Sequence, residues 1–344
     1  MVLSQAAIDD LTARGAERGV DLRPGLDLIE RRLSDTVASE LPFVTEASQY
    51  LIHAGGKRFR PMLVLLTGML TGAESSREEL VDAGVIVELV HLSTLYHDDV
   101  IDGAEVRRGA PAAHVKWSNT VAILTGDFLL ARASELSAKL GVEVTQVMAR
   151  TIADLCQGQI REVQGSAAGQ HHVPGTVADR EHYLRVIGEK TASLIASSCR
   201  LGAILTDQPA AAKETVTRYG WHLGMAFQLA DDVVDIVSSA GESGKVPGTD
   251  LREGVRSLPV LMVLEAEGDD SRFAKLLQDP TDEHVAEALD FIRGHPGLAS
   301  ARDAAQLEAA KAKQALDALP PELADAPSIE GLRYLADYAA GRVA

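Results

Sequence analysis

Two short stretches of this 344-residue chain repeat one acidic pattern, DDxxD: Asp98-Asp99-Val100-Ile101-Asp102 and Asp231-Asp232-Val233-Val234-Asp235. On a helix, the first and last acids of such a stretch share a face, one turn apart. Carboxylates placed that way repel one another. Each stretch also lies at the C-terminal end of an apolar run, Leu80 to His97 in one case and Trp221 to Val237 in the other. There the helix dipole is negative, and apolar neighbours make desolvation costly. Something positive must compensate. Hard oxygen ligands with free coordination positions suit Mg²⁺ bridging to a phosphate. Asp9-Asp10 and Asp269-Asp270 are internal controls, because neither has a third acid one turn on and both have polar surroundings. They read as solvated surface.

The candidate partners are basic. Gly55-Gly56-Lys57-Arg58-Phe59-Arg60-Pro61 sets three cations beside two glycines, and Arg107-Arg108-Gly109 follows the first acidic stretch. Glycine lets the backbone approach a ligand, and guanidinium groups grip diphosphate oxygens through paired donors. Alone, each cluster reads as a solvated turn. Beside the acids, they point to a site for two separate diphosphates. His91 lies two turns before Asp98 on the same face, where a buried histidine satisfied by a hydrogen bond is the usual reading. Glu88 and His91 also spell ExxH, half of a di-iron carboxylate signature, but no second ExxH occurs in the chain.

The elements that must position these groups are helices. Apolar residues recur at helical spacing, and no alternating run argues for a sheet. Hydrophobic residues make up 46% of the chain but aromatics only 4%, so the core is built from Ala, Leu and Val, which suit close helix packing. Breakers fall at Gly103 to Pro111, Gln164 to Asp179 and Gly241 to Pro259, near Pro280, and at Pro320-Pro321. With no solenoid repeat and no low-complexity linker, residues 1–344 read as a single all-α domain of many helices. A net charge of -17 argues against nucleic acid as a partner. Cys156 and Cys199 form no CxxC pair, read as small core residues, and fit a reducing cytosol. MVLSQAAIDD lacks the basic start and apolar run of a secretory signal, and no stretch approaches the ~20 apolar residues of a bilayer span. The expectation is a soluble, cytoplasmic protein with at most peripheral membrane contact.

Taken together, the motifs resemble those of the trans-isoprenyl diphosphate synthase (polyprenyl synthetase) family. The resemblance runs from Gly55 through Pro259 and includes GGKRFRP, ELVHLSTLYHDDVIDGAEVRRG, GDFLLA, EKTASL, FQLADDVVD and GKVPGTDLREG. It implies an all-α homodimer whose helices surround a deep apolar cavity, with the acidic motifs facing each other at its mouth. It further implies that Asp98 and Asp102 hold Mg²⁺ on one side of an allylic diphosphate and Asp231 holds it opposite, with Asp99 and Asp235 in support. By the same resemblance, Arg107, Lys190 and Lys245 contact that diphosphate, and Thr191 and Gln228 place oxygens near the allylic cation. Lys57, Arg60, His91 and Arg108 would hold isopentenyl diphosphate. The starter would be geranyl, farnesyl or geranylgeranyl diphosphate. Metals and cations disperse the charge of the leaving diphosphate, the isopentenyl double bond attacks the allylic cation, and the apolar cavity excludes water.

One segment departs from the family pattern. Many members carry a lysine in GK-x-T-L-P, where this chain has Gly254-Val255-Arg256-Ser257-Leu258-Pro259. Either Arg256 supplies that charge, or the remaining cations suffice. Two other classes remain as alternatives. A class I terpene cyclase shares the ionisation chemistry but has no need of GGKRFRP, and a noncatalytic subunit of a heteromeric prenyltransferase tends to lose the acidic motifs. Below Asp98, Thr94 and Ser93 are small, with Val90, Leu89 and Ile86 beneath them. Short-chain members of the resembling family commonly put an aromatic at one of those first positions. A floor this open implies a long-chain product, on the order of six to ten units at one ~5.4 Å helical turn per unit.

Overall fold

The computed structural model describes residues 12–13, 15, 19–165, 179–238 and 247–343. In chain order the helices are α1 (Arg23–Thr36), α2 (Pro42–His53), α3 (Phe59–Gly68), α4 (Glu78–Asp102), α5 (Ala113–Lys116), α6 (Asn119–Leu140) and α7 (Val142–Gly165). They continue as α8 (Arg180–Ile187), α9 (Ser193–Leu205), α10 (Ala210–Val237), α11 (Thr249–Arg252), α12 (Leu258–Glu267) and α13 (Arg272–Leu276). The last are α14 (Asp282–Gly294), α15 (Pro296–Leu316), α16 (Pro321–Ala324) and α17 (Ser328–Gly341). The fold is all-α, as the periodicity requires.

The expected loop from Gly103 to Pro111 is instead a minimal hairpin. Strand β1 (Val106–Arg107) pairs antiparallel with β2 (Ala110–Pro111), in the register Val106 to Pro111 and Arg107 to Ala110. Its two turn residues, Arg108 and Gly109, have φ of 54° and 79°. Positive φ at both central positions matches the right-handed twist of the strands. The turn therefore fixes Arg108 at a tip. Two other expected breaks also shift. Residues 166–178 and 239–246 lie outside the described residues, but α7 runs on to Gly165, and Pro259 sits in the first turn of α12, where its missing N–H costs nothing.

Helix α4 is the central strut. Leu80, Val85, Ile86, Val87, Leu89, Val90 and Leu92 are each fully buried, so the helix is apolar nearly all round. Contrary to the sequence expectation, α4 does pass for a bilayer span by length and composition, but 72% of that window is buried inside the fold. It is a core helix. The second central helix, α10, lies between α9 and α15. On one side α15 presents Ala301, Ala305, Ala309 and Ala312, all fully buried. On the other, a Cβ at Gly220 would stand 2.7 Å from the Ala196 Cα, and one at Gly224 would stand 2.6 Å from the Ala192 Cα. The helices touch backbone to backbone, which the small-residue composition makes possible.

That contact has a consequence one turn on. Gln228, four residues after Gly224, accepts a hydrogen bond from the Thr191 hydroxyl at 3.1 Å. Replacing Gly224 with Ala must push α10 from the Ala192 backbone. A destabilisation of about 1–3 kcal/mol is expected from such overpacking, measured by urea unfolding. Gly294→Ala, where a Cβ meets nothing within 4 Å, should be close to neutral.

Candidate active site

Between α3, α4, α6, α7, α9, α10 and α17 lies a cavity of about 1260 Å³. Asp98 and Asp102 line it from the end of α4, and Asp231 and Asp235 line it from the end of α10. Lys57, Arg60, His91, Arg107, Arg108, Lys190, Thr191, Gln228, Ser93 and Thr94 line it too. The sequence-derived candidates thus converge, with two exceptions. Lys245 lies outside the described residues. Asp99, expected as a supporting metal residue, faces away from the cavity and is fully buried. It accepts from Arg107 Nε at 2.7 Å and pairs with Arg107 Nη2 at 2.5 Å. The reason is rotation: consecutive helical residues are about 100° apart, so Asp99 cannot share the face of Asp98. Its job is to orient Arg107.

Burial raises the Asp98 carboxyl to about 6, with Lys190 opposing and Asp102 adding to the rise. Asp102 is raised as well, again by burial first. Across the cavity, the backbone N–H groups of Thr249 and Asp250 each point at the Asp235 carboxylate at 3.3 Å, capping α11. Asp232 is buried but also lines the cavity, and it is bonded to the Tyr183 hydroxyl and to Gln228 Nε2, the latter at 2.9 Å. Burial raises its pKa, and those two hydrogen bonds pull it back. Among the described residues, no three His, Cys, Asp or Glu side chains stand close enough to cage a metal alone. Such a donor set fits a hard cation held by one or two carboxylates and completed by substrate phosphates, as Mg²⁺ prefers.

Lys190 and Thr191 reach the cavity together because the chain makes one π-turn, Gly188–Ala192. Single π-turns inside α-helices recur at functional sites. Helix α7 closes on this turn through Gly158, where a Cβ would meet the Lys190 nitrogen at 2.7 Å. Lys190 bonds Glu162 on α7. Burial alone would lower the Lys190 pKa, but Glu162, Asp98 and Asp102 together raise it. Arg161 holds Glu189 through two bonds, at 3.0 and 3.1 Å.

The isopentenyl-side cluster brings together Lys57, Arg60, His91 and Arg108, as expected, and Arg58 between them takes another role. Arg58, with φ 47°, turns inward and is 5% exposed. Its guanidinium bonds Glu30, Glu88 Oε1 at 2.9 Å and the Ile52 carbonyl at 3.2 Å. It touches the cavity but is committed to these partners as a strut, and Lys57, Arg60 and Arg108 are the other cations of this cluster that line the cavity. Arg108 donates to the Leu51 carbonyl at 2.9 Å and to the Gly55 carbonyl. A Cβ at Gly56 would stand 2.4 Å from Arg58 Nη1 and 3.0 Å from Arg108 Nη1, so a side chain there would displace these guanidinium ends. Burial pushes Arg60 down to about 10, with buried Glu88 as the opposing charge, and Arg60 Nε is closed off without a partner. An orphaned buried donor costs about 1–3 kcal/mol, which an anionic ligand would recover. Burial, then Arg60 and Arg108, hold His91 well below its ordinary value, so its imidazole is neutral at pH 7.

Several lining residues escaped the sequence reading. Gln159 has both amide atoms buried without partners, and Glu88, Tyr338 and Arg342 also face the cavity. Gln159 and Glu162 fall one turn apart in GQIRE, but a lone acid on an amphipathic helix gives little signal. Cys199 is buried as expected, whereas Cys156 is exposed and lines the cavity. Arg256 is half-buried and is not among the described residues that line the cavity.

Opposed carboxylates, two sets of cations and apolar walls together define a class of enzyme that handles the diphosphates of apolar substrates. The sequence pattern of the polyprenyl synthetase family matches residues 41–292. A nonaprenyl diphosphate synthase of Mycobacterium tuberculosis is 41% identical over 324 residues, 93% of each chain. Heptaprenyl diphosphate synthase component 2 of Bacillus subtilis is 34% identical, over 87% of this chain and 84% of its own. Among solved structures, a polyprenyl synthase from Caulobacter crescentus, complexed with calcium and isoprenyl diphosphate, superposes with a TM-score of 0.84. It is 32% identical over 98% of both chains. The chain belongs to the polyprenyl synthetase family. It is an enzyme, a prenyltransferase that makes a polyprenyl diphosphate.

The raised Asp98 pKa has a sign that can be tested. Between its ordinary 3.8 and about 6, the folded protein binds more protons than the unfolded chain. Asp98 therefore makes the ligand-free fold less stable as pH rises through that window. Protons compete with cations over the same range. Titration of Mn²⁺ should give weaker binding at pH 5.5 than at pH 8, with proton release on binding only at the lower pH. Equal affinities would contradict the assignment.

Proposed function

We propose that the protein extends a geranyl, farnesyl or geranylgeranyl diphosphate with isopentenyl diphosphate units to a long-chain all-trans polyprenyl diphosphate, using Mg²⁺. The observation that carries this reading is one cavity lined by both acidic motifs, by both cation sets and by apolar residues. Divalent cations held by Asp98 and Asp102 on one side, and by Asp231 opposite, would offset the charge that grows on the departing allylic diphosphate. Asp235 supports Asp231 by fixing α11 beneath the site. Arg107 and Lys190 bind that diphosphate, held in place by Asp99 and Glu162. Lys57, Arg60, Arg108 and neutral His91 donate to the isopentenyl diphosphate, while buried Glu88 balances part of their charge. Thr191 and Gln228 set oxygen dipoles toward the allylic carbons, and the apolar wall excludes water.

Product length follows from what lies below the acids. Ser93, Thr94 and Val90 line the cavity, but Leu89 and Ile86 do not. Leu89 is rotated about 100° from Val90, and Ile86 is packed in the core. The remaining apolar lining includes Leu130, Ile152, Leu155, Ile195 and Phe227. Small residues at 93 and 94, with nonaprenyl and heptaprenyl synthases among the relatives, support a long chain.

A homodimer is part of the proposal. Val115 on α5 and Ile123 and Leu124 on α6 are 52%, 43% and 61% exposed, and Phe43 and Val106 nearby are exposed too. A run of large apolar side chains on touching elements is the kind of surface a second copy covers. The relative named as a component 2 makes a different partner subunit the other reading. The cysteines are unpaired, consistent with a cytoplasmic setting.

The test uses the purified chain alone, with labelled isopentenyl diphosphate, each starter and Mg²⁺, followed by product sizing. Products of about six to ten units are expected. Ser93→Phe or Thr94→Phe should shorten them to a few units while sparing the first condensation. A wild type that stops at three or four units would contradict the open floor, and a chain inactive alone would favour the two-component reading.

A further inference from the structure

Arg342 follows the last turn of α17 and reaches back into the cavity, where its Nη2 donates to Asp231 Oδ1 at 2.5 Å. The two side chains are only 14% and 20% exposed. The other terminal nitrogen, Nη1, is closed off from solvent with no hydrogen-bond partner. Arg342 also stands near the isopentenyl-side cations. Burial holds Lys57 below its ordinary value; Tyr338 opposes that shift and Arg342 adds to it. One side chain from the end of the fold thus sits between the second acidic motif and the cluster that faces it.

We propose that Arg342 is the built-in counter-ion of the second acidic motif, holding Asp231 in the ligand-free protein and leaving it when a divalent cation binds. The proposal rests on Asp231 being a cation ligand. The carboxylate oxygen that accepts the guanidinium is less available to a dication, and the two positive charges repel, so the Arg342 contact and cation binding compete. Arg342 is one partner of Asp231 and not its sole one, so exchange is graded. The residue is also well placed to move. Val343 is 4% exposed and anchors the end of α17, and Tyr338 packs near Phe227, with 6.4 Å between ring centroids. Release then needs only a side-chain swing and the last helical turn. The orphaned Nη1 is a second donor ready for an anionic partner.

The experiment measures Mn²⁺ binding to the full chain without substrate, by the resonance of free Mn²⁺, in wild type, Arg342→Gln, Asp231→Asn and the double variant. Arg342→Gln should bind Mn²⁺ about three- to tenfold more tightly, as loss of a partly buried charged pair allows. Asp231→Asn should bind more weakly, and the double variant should match it. Hydrogen exchange of the amides at 338–343 is the second readout. It should quicken in wild type when Mn²⁺ and inorganic diphosphate are added together, and be fast in Asp231→Asn without them. If Asp231→Asn weakens binding but Arg342→Gln leaves it unchanged, Arg342 is no counter-ion. If Asp231→Asn binds Mn²⁺ as wild type does, the cation is not at Asp231, and the metal reading fails first.

Discussion

Carboxylates from two helix ends face one another across a cavity with apolar stretches of wall, and no charge of that sign is stable there unanswered. Asp98 shows the stress most directly, since burial lifts it to about 6. The fold answers with fixed cations around the rim and, by our proposal, with exchangeable ones inside it. Lys190 comes from a π-turn, Arg107 from a two-residue hairpin and Arg342 from the end of the last helix. Each of these is an irregularity in an otherwise regular all-α fold. Each is where a cation meets an acid.

The cations need restraint as much as the acids do. Arg58 is committed to a bridge between Glu30 and Glu88, leaving Lys57, Arg60 and Arg108 available to a ligand in the cavity. Arg107 and Lys190 are each held by an acid outside the cavity lining, Asp99 and Glu162. Groups held in place before substrate arrives need little reorganisation when charge moves, the condition for electrostatic catalysis in a dry site. Close helix contact at Gly158 and Gly224 sets the spacing that makes this possible.

Much of this was legible in the sequence, because repeated DDxxD at the ends of apolar runs is both chemically costly and locally encoded. Leu80–His97 and Trp221–Val237 do lie in the two central helices, and each motif forms the end of one. What the sequence hid depends on side-chain direction and tertiary contact. The GGKRFRP run gives no sign that Arg58 turns inward, since that follows from a left-handed φ and a partner 30 residues away. Asp99 reads like its neighbours until helical rotation assigns it to Arg107. The hairpin was invisible because two-residue strands carry no period. Gln159, Glu162 and Arg342 are single polar residues brought in by packing, and only the fold connects Arg342 to an acid 111 positions away.

The central claim is that the opposed carboxylates serve a divalent cation rather than the fold. The most direct measurement is steady-state turnover of Asp98→Ala across a range of Mg²⁺ concentrations, with circular dichroism and thermal unfolding of the same sample. Turnover should fall by orders of magnitude, about 10² or more for loss of a preorganised electrostatic contact. Saturating Mg²⁺ should not restore it, and the helical signal and melting temperature should hold or rise as repulsion is relieved. Near-normal turnover at saturating Mg²⁺ would contradict the account.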